Sequence, residues 1–168
     1  GGSDLAGTLE SCYQRSLTDL GSSKNYPATL ILLQVAYYPV EYLEPKFFDW
    51  TRVFFKYCDG SGHQGFKNAS VSYKGANLFF RGEAITIERF RALNTTHRLF
   101  SQVDDIVVTG GSAGGLAAFH WGEHVKRLSR GLVWTVPDSG IFLDSANVKT
   151  GQYAYREKFI NLMKLSNA

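Results

Sequence analysis

Asp105-Ile106-Val107-Val108-Thr109-Gly110-Gly111-Ser112-Ala113-Gly114-Gly115-Leu116 is the stretch that decides the fold. Its first five residues form a short β-branched run with no polar alternation, the pattern of a buried parallel strand. The glycine cluster then breaks the strand, and Leu116 to Leu128 carries helical spacing. Downstream, Leu132-Val133-Trp134-Thr135-Val136 reads as a second buried strand, closed by Pro137-Asp138-Ser139-Gly140. Gln152 to Leu165 follows as a helix with Tyr155, Phe159 and Leu162 on one side. Strands alternating with helices imply an α/β fold built on a mostly parallel sheet flanked by helices.

Working outward, Thr8 to Leu20 has Leu9, Tyr13 and Leu17 at four-residue spacing, a helix stopped by Gly21. Ala28 to Tyr38 is apolar and suits either a strand or a buried loop. Arg52-Val53-Phe54-Phe55-Lys56-Tyr57 is β-branched and aromatic and predicts a strand running into the turn Asp59-Gly60-Ser61-Gly62. Val71–Tyr73 and Asn77–Arg81 flank Lys74-Gly75-Ala76 as a short hairpin. Glu83 to Arg98 predicts a helix with Ile87, Phe90 and Leu93 on one face. No internal repeat, linker or low-complexity block divides the 168 residues, so they read as one domain or one contiguous piece of a domain.

Composition narrows the function. Apolar residues are 44% and charged residues 20%, which excludes a disordered tail or a coiled coil. No apolar run approaches a membrane span. The net charge of +3 comes from scattered basic residues rather than a stripe, so nucleic acid is not an expected partner. No initiator Met or signal peptide can be read, and the start at Gly1-Gly2 and the stop after Ser166-Asn167-Ala168 look cut from something longer. Cys12 and Cys58 lack metal-ligand spacing; they suit one disulfide, two thiols, or halves of bridges to partners outside the chain. Asn68-Ala69-Ser70 and Asn94-Thr95-Thr96 are glycosylation sequons.

One motif carries chemistry. Gly110, Ser112 and Gly114 occupy the fixed positions of G-x-S-x-G at a strand–turn–helix junction, where small neighbours let a strained serine stand clear of the sheet. A helix N-terminus behind that serine stabilises developing negative charge. The turn lacks the lysine and spacing of a P-loop, which argues against a phosphate cradle. A serine nucleophile needs a histidine base within hydrogen-bond reach, itself oriented by a carboxylate. His120 and His124 lie on the helix leaving the turn and project away from Ser112; His97 ends a surface helix; His63, in Gly62-His63-Gln64-Gly65, is the one that could approach. Each reads as an ordinary structural histidine. Gly1-Gly2 alone reads as a tag scar.

Seven blocks together resemble the pectin acetylesterase family, which includes the Notum carboxylesterases. They are Gly1-Gly2; Glu10-Ser11-Cys12-Tyr13-Gln14-Arg15; Leu20-Gly21-Ser22-Ser23; Tyr57-Cys58-Asp59-Gly60-Ser61-Gly62; Leu78-Phe79-Phe80-Arg81-Gly82; Thr109 through Ala117; and Asp138-Ser139-Gly140-Ile141-Phe142-Leu143-Asp144. The resemblance implies an incomplete α/β-hydrolase domain and a secreted serine carboxylesterase. Such an enzyme removes acyl groups, typically O-acetyl esters on polysaccharide, through a Ser-Asp-His triad without metal or cofactor. Carried over by position, Ser112 is the nucleophile, and the backbone N–H groups of Gly2, Ser3 and Ala113 form the oxyanion hole. The family usually continues its Gly-Gly with Trp and Cys, where this chain has Ser3-Asp4. Its catalytic Asp and His lie beyond the Asp138-Ser139-Gly140 block and past Ala168, while Asp138 and Asp144 match structural acids.

Three functions compete on these residues: the nucleophile-bearing part of an esterase, a catalytically inactive relative with a structural or interaction role in a larger assembly, and carbohydrate binding without hydrolysis. The resemblance also places a central strand before Gly1, between Arg52–Tyr57 and Asp105–Thr109. Those two segments are therefore expected not to pair directly, with further polypeptide filling the slot and the chain alone folding poorly. Acylated polysaccharide or another ester substrate is the expected partner, together with remaining polypeptide or other subunits that complete the fold.

Overall fold

A glycine folded back on a helix end sets the first element. α1, Leu5–Ser16, starts and stops earlier than the spacing predicts, because the chain reverses through residues 17–21. A Cβ on Gly21 would lie 2.4 Å from the Ser16 Cα, so only glycine lets this return pass so close. The computed structural model describes residues 5–24, 26–27, 46–47 and 49–168. The apolar stretch Ala28–Tyr38 and the residues Gly1, Gly2 and Ser3 lie outside the described residues.

Two short sheets follow. β1, Val71–Tyr73, and β2, Ala76–Leu78, form the expected hairpin, with Tyr73 opposite Ala76. Lys74 (φ 48°) and Gly75 (φ 76°) both take left-handed backbone, the two-residue turn whose twist matches antiparallel strands. α2, Gly82–His97, ends on Arg98 in the left-handed region, and α3, Leu99–Gln102, leads into β3, Asp105–Gly111. α4, Ala113–Leu128, crosses over to β4, Leu132–Asp138, which pairs parallel with β3 in register from Asp105↔Leu132 to Gly111↔Asp138. α5, Ala154–Ser166, closes the described chain.

The parallel unit holds one core. α4 turns Gly115, Ala118, Trp121, Gly122 and Val125 inward, and Trp121 and Val125 join Phe90 and Phe100 in a cluster packed by Phe55, Ile106, Val108 and Val133. A second cluster, Leu78, Phe80 and Leu165, joins α5 to the hairpin and to Leu9, Cys12 and Tyr13 of α1. The face of α2 differs from the sequence reading: Gly82, Thr86 and Phe90 form its buried seam, while Ile87 is exposed.

Two further expectations change. Residues 51–58 form no strand, and among the described residues no ladder joins them to β3. Their aromatic and β-branched composition suits a strand, but a strand also needs a partner for its backbone. Arginine side chains supply part of that here: Arg15 donates to the Tyr57 carbonyl at 3.0 Å and Arg89 to the Lys56 carbonyl at 2.8 Å. The other correction concerns burial. β4 was expected to be covered on both sides, yet Leu132, Trp134 and Val136 are 63%, 56% and 51% exposed. α4 covers one face of the β3–β4 pair and leaves Leu132, Trp134 and Val136 on the other more than half exposed.

Candidate active site

The carboxyl ends of β3 and β4 converge on Ser112. The register puts Gly111 opposite Asp138, so the chain leaving β3 turns beside the end of β4. There the Ser112 N–H donates to the Asp138 carbonyl at 3.0 Å, and the Ser112 carbonyl accepts the Leu116 N–H at 3.0 Å, opening α4. Between these two bonds the serine is held at φ 54°, ψ −113°, a conformation that costs a non-glycine residue about 1–3 kcal/mol. Ser112 remains exposed.

Close backbone contact explains the flanking glycines. A Cβ on Gly110 would lie 2.6 Å from the carbonyl carbon of Gly114, so the turn shuts on itself. A Cβ on Gly115 would meet the Asp138 carbonyl oxygen at 2.4 Å and the Gly140 Cα at 2.7 Å. The first turn of α4 thus seats on the segment leaving β4, which locks the elbow against its neighbour strand. Ser139 sits at φ 50° and its hydroxyl donates to Asp138 Oδ1 at 2.9 Å. This buttress by Asp138 and Gly140 was not read from the sequence; only the register of β3 with β4 brings together residues 26 positions apart.

Ala113 opens α4, and its N–H is among the first-turn donors that an α-helix leaves without an intrahelical acceptor. It lies beside the Ser112 side chain in sequence and points along the helix dipole. Gly2 and Ser3 lie outside the described residues.

None of the four histidines is hydrogen-bonded to Ser112 among the described contacts. His63 is the most buried, at 8% exposure, with left-handed backbone (φ 62°). Its ring lies 4.9 Å from that of Tyr57, and its carbonyl accepts the Trp121 Nε1–H at 3.1 Å. Burial lowers its pKa, which favours the neutral ring. His124 stacks on Phe90 at 5.5 Å, and His97 and His120 are exposed. The loop around His63 is braced rather than open. Gly62 N–H donates to the Tyr57 hydroxyl at 2.8 Å, Gly65 N–H to Ser61 Oγ at 2.7 Å, and the Ser61 hydroxyl bonds Asp59. The Arg15 guanidinium lies 4.5 Å over the Tyr57 ring, and burial pushes the Tyr57 phenol up to about 12.

Other predicted residues fall elsewhere. Cys12 and Cys58 are both free and line a cleft of about 80 Å³ with Arg15 and Asp59, away from Ser112. Burial raises the Cys12 thiol pKa. Asn68 and Asn94 are exposed. Asp144 forms an ion pair with Arg156 at 2.9 Å. Among the described residues no three His, Cys, Asp or Glu side chains gather as metal ligands, and no helix is long and apolar enough to cross a membrane.

This geometry defines an α/β protein with a strained serine between a parallel strand and the helix that follows it. The sequence pattern of the Pectinacetylesterase family matches residues 1–168, and the chain belongs to that family. Among curated relatives, Pectin acetylesterase 5 of Arabidopsis thaliana is 32% identical over 154 residues, covering 88% of this chain and 34% of the relative. Pectin acetylesterase 4 of the same plant is 30% identical over 152 residues, covering 84% and 34%. Pectin acetylesterase 11 is 29% identical over 154 residues, covering 86% and 36%. The chain spans about a third of the length of these relatives.

Proposed function

We propose that residues 1–168 are the nucleophile-bearing part of a secreted serine carboxylesterase that removes O-acetyl groups from pectin. The observation that carries this reading is Ser112, exposed and held in a strained conformation between β3 and α4. Ser112 Oγ attacks the acetyl carbonyl, and its proton passes to a base. The N–H groups of Ala113, Gly2 and Ser3 stabilise the negative charge that develops on the carbonyl oxygen. Departure of the sugar alcohol leaves an acetyl group on Ser112, which water then removes. The base and its orienting carboxylate come from polypeptide outside these residues, because His63 is packed against Tyr57 and the other histidines lie on α2 and α4. The same larger α/β-hydrolase domain supplies a strand beside β3 and cover for the open face of β4. The names of the relatives and the polysaccharide they specify support the substrate.

The test is hydrolysis of acetylated pectin by the full-length protein and by its Ser112→Ala variant. The expected loss is on the order of 10⁴-fold or more in kcat, the scale seen when a nucleophile acting with a base is removed. Activity retained in Ser112→Ala overturns the assignment. A folded protein inactive in both forms would favour the non-catalytic, structural reading.

A further inference from the structure

The segment before the hairpin carries an exposed acceptor asparagine, Asn68, two residues after a half-exposed phenylalanine, Phe66. Phe66 and Phe79 are 51% and 52% exposed, while Phe80 is 1% exposed. Residues 66–68 and 79–81 run side by side: Lys67 N–H donates to the Phe80 carbonyl at 3.0 Å, and Arg81 Nη2 to the Asn68 carbonyl at 2.8 Å. Phe66 N–H is tied to the Ser166 carbonyl at 2.9 Å, so the turn is anchored to the end of α5 as well. Asn68, Ala69 and Ser70 all face solvent. They form an N-x-S sequon whose asparagine lies two residues after Phe66.

We propose that Asn68 carries an N-linked oligosaccharide and that Phe66 is the platform for its first sugar. A pyranose shows C–H groups on its flat side, and an aromatic face is electron-rich, so the two surfaces attract while both leave water. Backbone bonds at Phe66, Lys67 and the Asn68 carbonyl hold this segment, so its backbone needs little further ordering. Asn94, the other sequon asparagine, is exposed on the last turn of α2 but has Ala92 two residues before it and no such platform. In the transfer, a bond forms between Asn68 Nδ2 and the anomeric carbon of a lipid-linked oligosaccharide. The bond from that carbon to the lipid pyrophosphate breaks, and the pyrophosphate leaves as the amide proton is lost. This inference rests on the functional reading only for passage through the secretory pathway.

The full-length protein, secreted from eukaryotic cells behind a host leader, tests it without any activity assay. Peptide mass spectrometry is expected to find an oligosaccharide at Asn68, lost in Asn68→Gln and in Ser70→Ala. Enzymatic removal of the sugar at Asn68, measured in an Asn94→Gln background, is expected to lower Tm by about 1 °C, the shift for one aromatic contact in a protein about three times the length of this chain. That drop is expected to vanish in Phe66→Ala and in Phe66→Leu, the second variant keeping apolar volume without the ring. Secreted protein with unmodified Asn68 overturns the proposal. An occupied Asn68 whose Tm drop survives both Phe66 variants overturns the platform. Inactive but glycosylated protein would count against the esterase reading and leave this inference standing.

Discussion

Ser112 is held where L-residues resist going, and the cost is visible in its backbone angles. Replacing it by glycine removes the Cβ conflict, worth about 1–3 kcal/mol, against about 0.5–1 kcal/mol of added unfolded-state entropy. Ser112→Gly is therefore expected to raise stability by about 1 kcal/mol in chemical denaturation while losing all Ser112 chemistry; a destabilised Ser112→Gly would show that the elbow is unstrained. Gly115→Ala should act in the opposite sense. Its methyl group would meet backbone, not a flexible side chain, at 2.4 Å. A loss on the order of 1–3 kcal/mol is expected, together with slower acylation as α4 is pushed off Asp138 and Gly140. The serine and its glycines were legible in the sequence because G-x-S-x-G has a local physical cause. The Asp138 carbonyl that fixes the serine was not, since a backbone acceptor has no residue signature and its position depends on strand register. Gly2 and Ser3 rest on the resemblance alone.

Elements were legible where their stabilising contacts are local or where one hydrophobic seam decides. The Lys74-Gly75 hairpin and the β3–α4–β4 unit follow from turn chemistry and apolar runs. Residues 51–58 did not, because strand formation depends on a partner that no local pattern reveals. The seam of α2 was misread since Gly82 and Thr86 are small or polar, yet they face inward with Phe90. Thr86 Oγ1 is buried without a hydrogen-bond partner among the described residues. Thr86→Val keeps the shape and removes that desolvated hydroxyl, so a stability gain of about 1 kcal/mol is expected in urea unfolding; a loss would reveal a bond to this hydroxyl. The junction of α1 with the hairpin is expected to weaken at low pH. Lys74, then Gln14 and Tyr73, bond the Glu10 carboxylate and lower its pKa from 4.5 to about 2. A depressed carboxyl stabilises the fold above its unfolded pKa, and that contribution fades as pH falls toward about 2. Carboxyl NMR titration should show Glu10 titrating near 2 in wild type and nearer 4.5 in Lys74→Met; an unchanged midpoint would dismiss the Lys74 bond.

For the whole molecule, the β3–β4 pair shows the largest departure from a self-sufficient domain. Parallel strands are ordinarily covered on both faces, and the open side of β4 carries Leu132, Trp134 and Val136. Under the proposal that a larger domain surrounds this sheet, Trp134 fluorescence should be shielded from acrylamide in the full-length protein and quenched in residues 1–168 alone. Equal quenching in both would mean that the face stays open. The 168 residues alone should also hydrolyse p-nitrophenyl acetate no faster than a non-enzymatic protein, since no histidine here reaches Ser112 as a base. The central claim is that Ser112 is the reacting group, and covalent trapping tests it most directly. Treating the full-length protein with a fluorophosphonate probe and mapping the adduct by peptide mass spectrometry should give one modified residue, Ser112, in step with loss of pectin deacetylation. An adduct on another residue, or complete inactivation with Ser112 unmodified, would contradict the account.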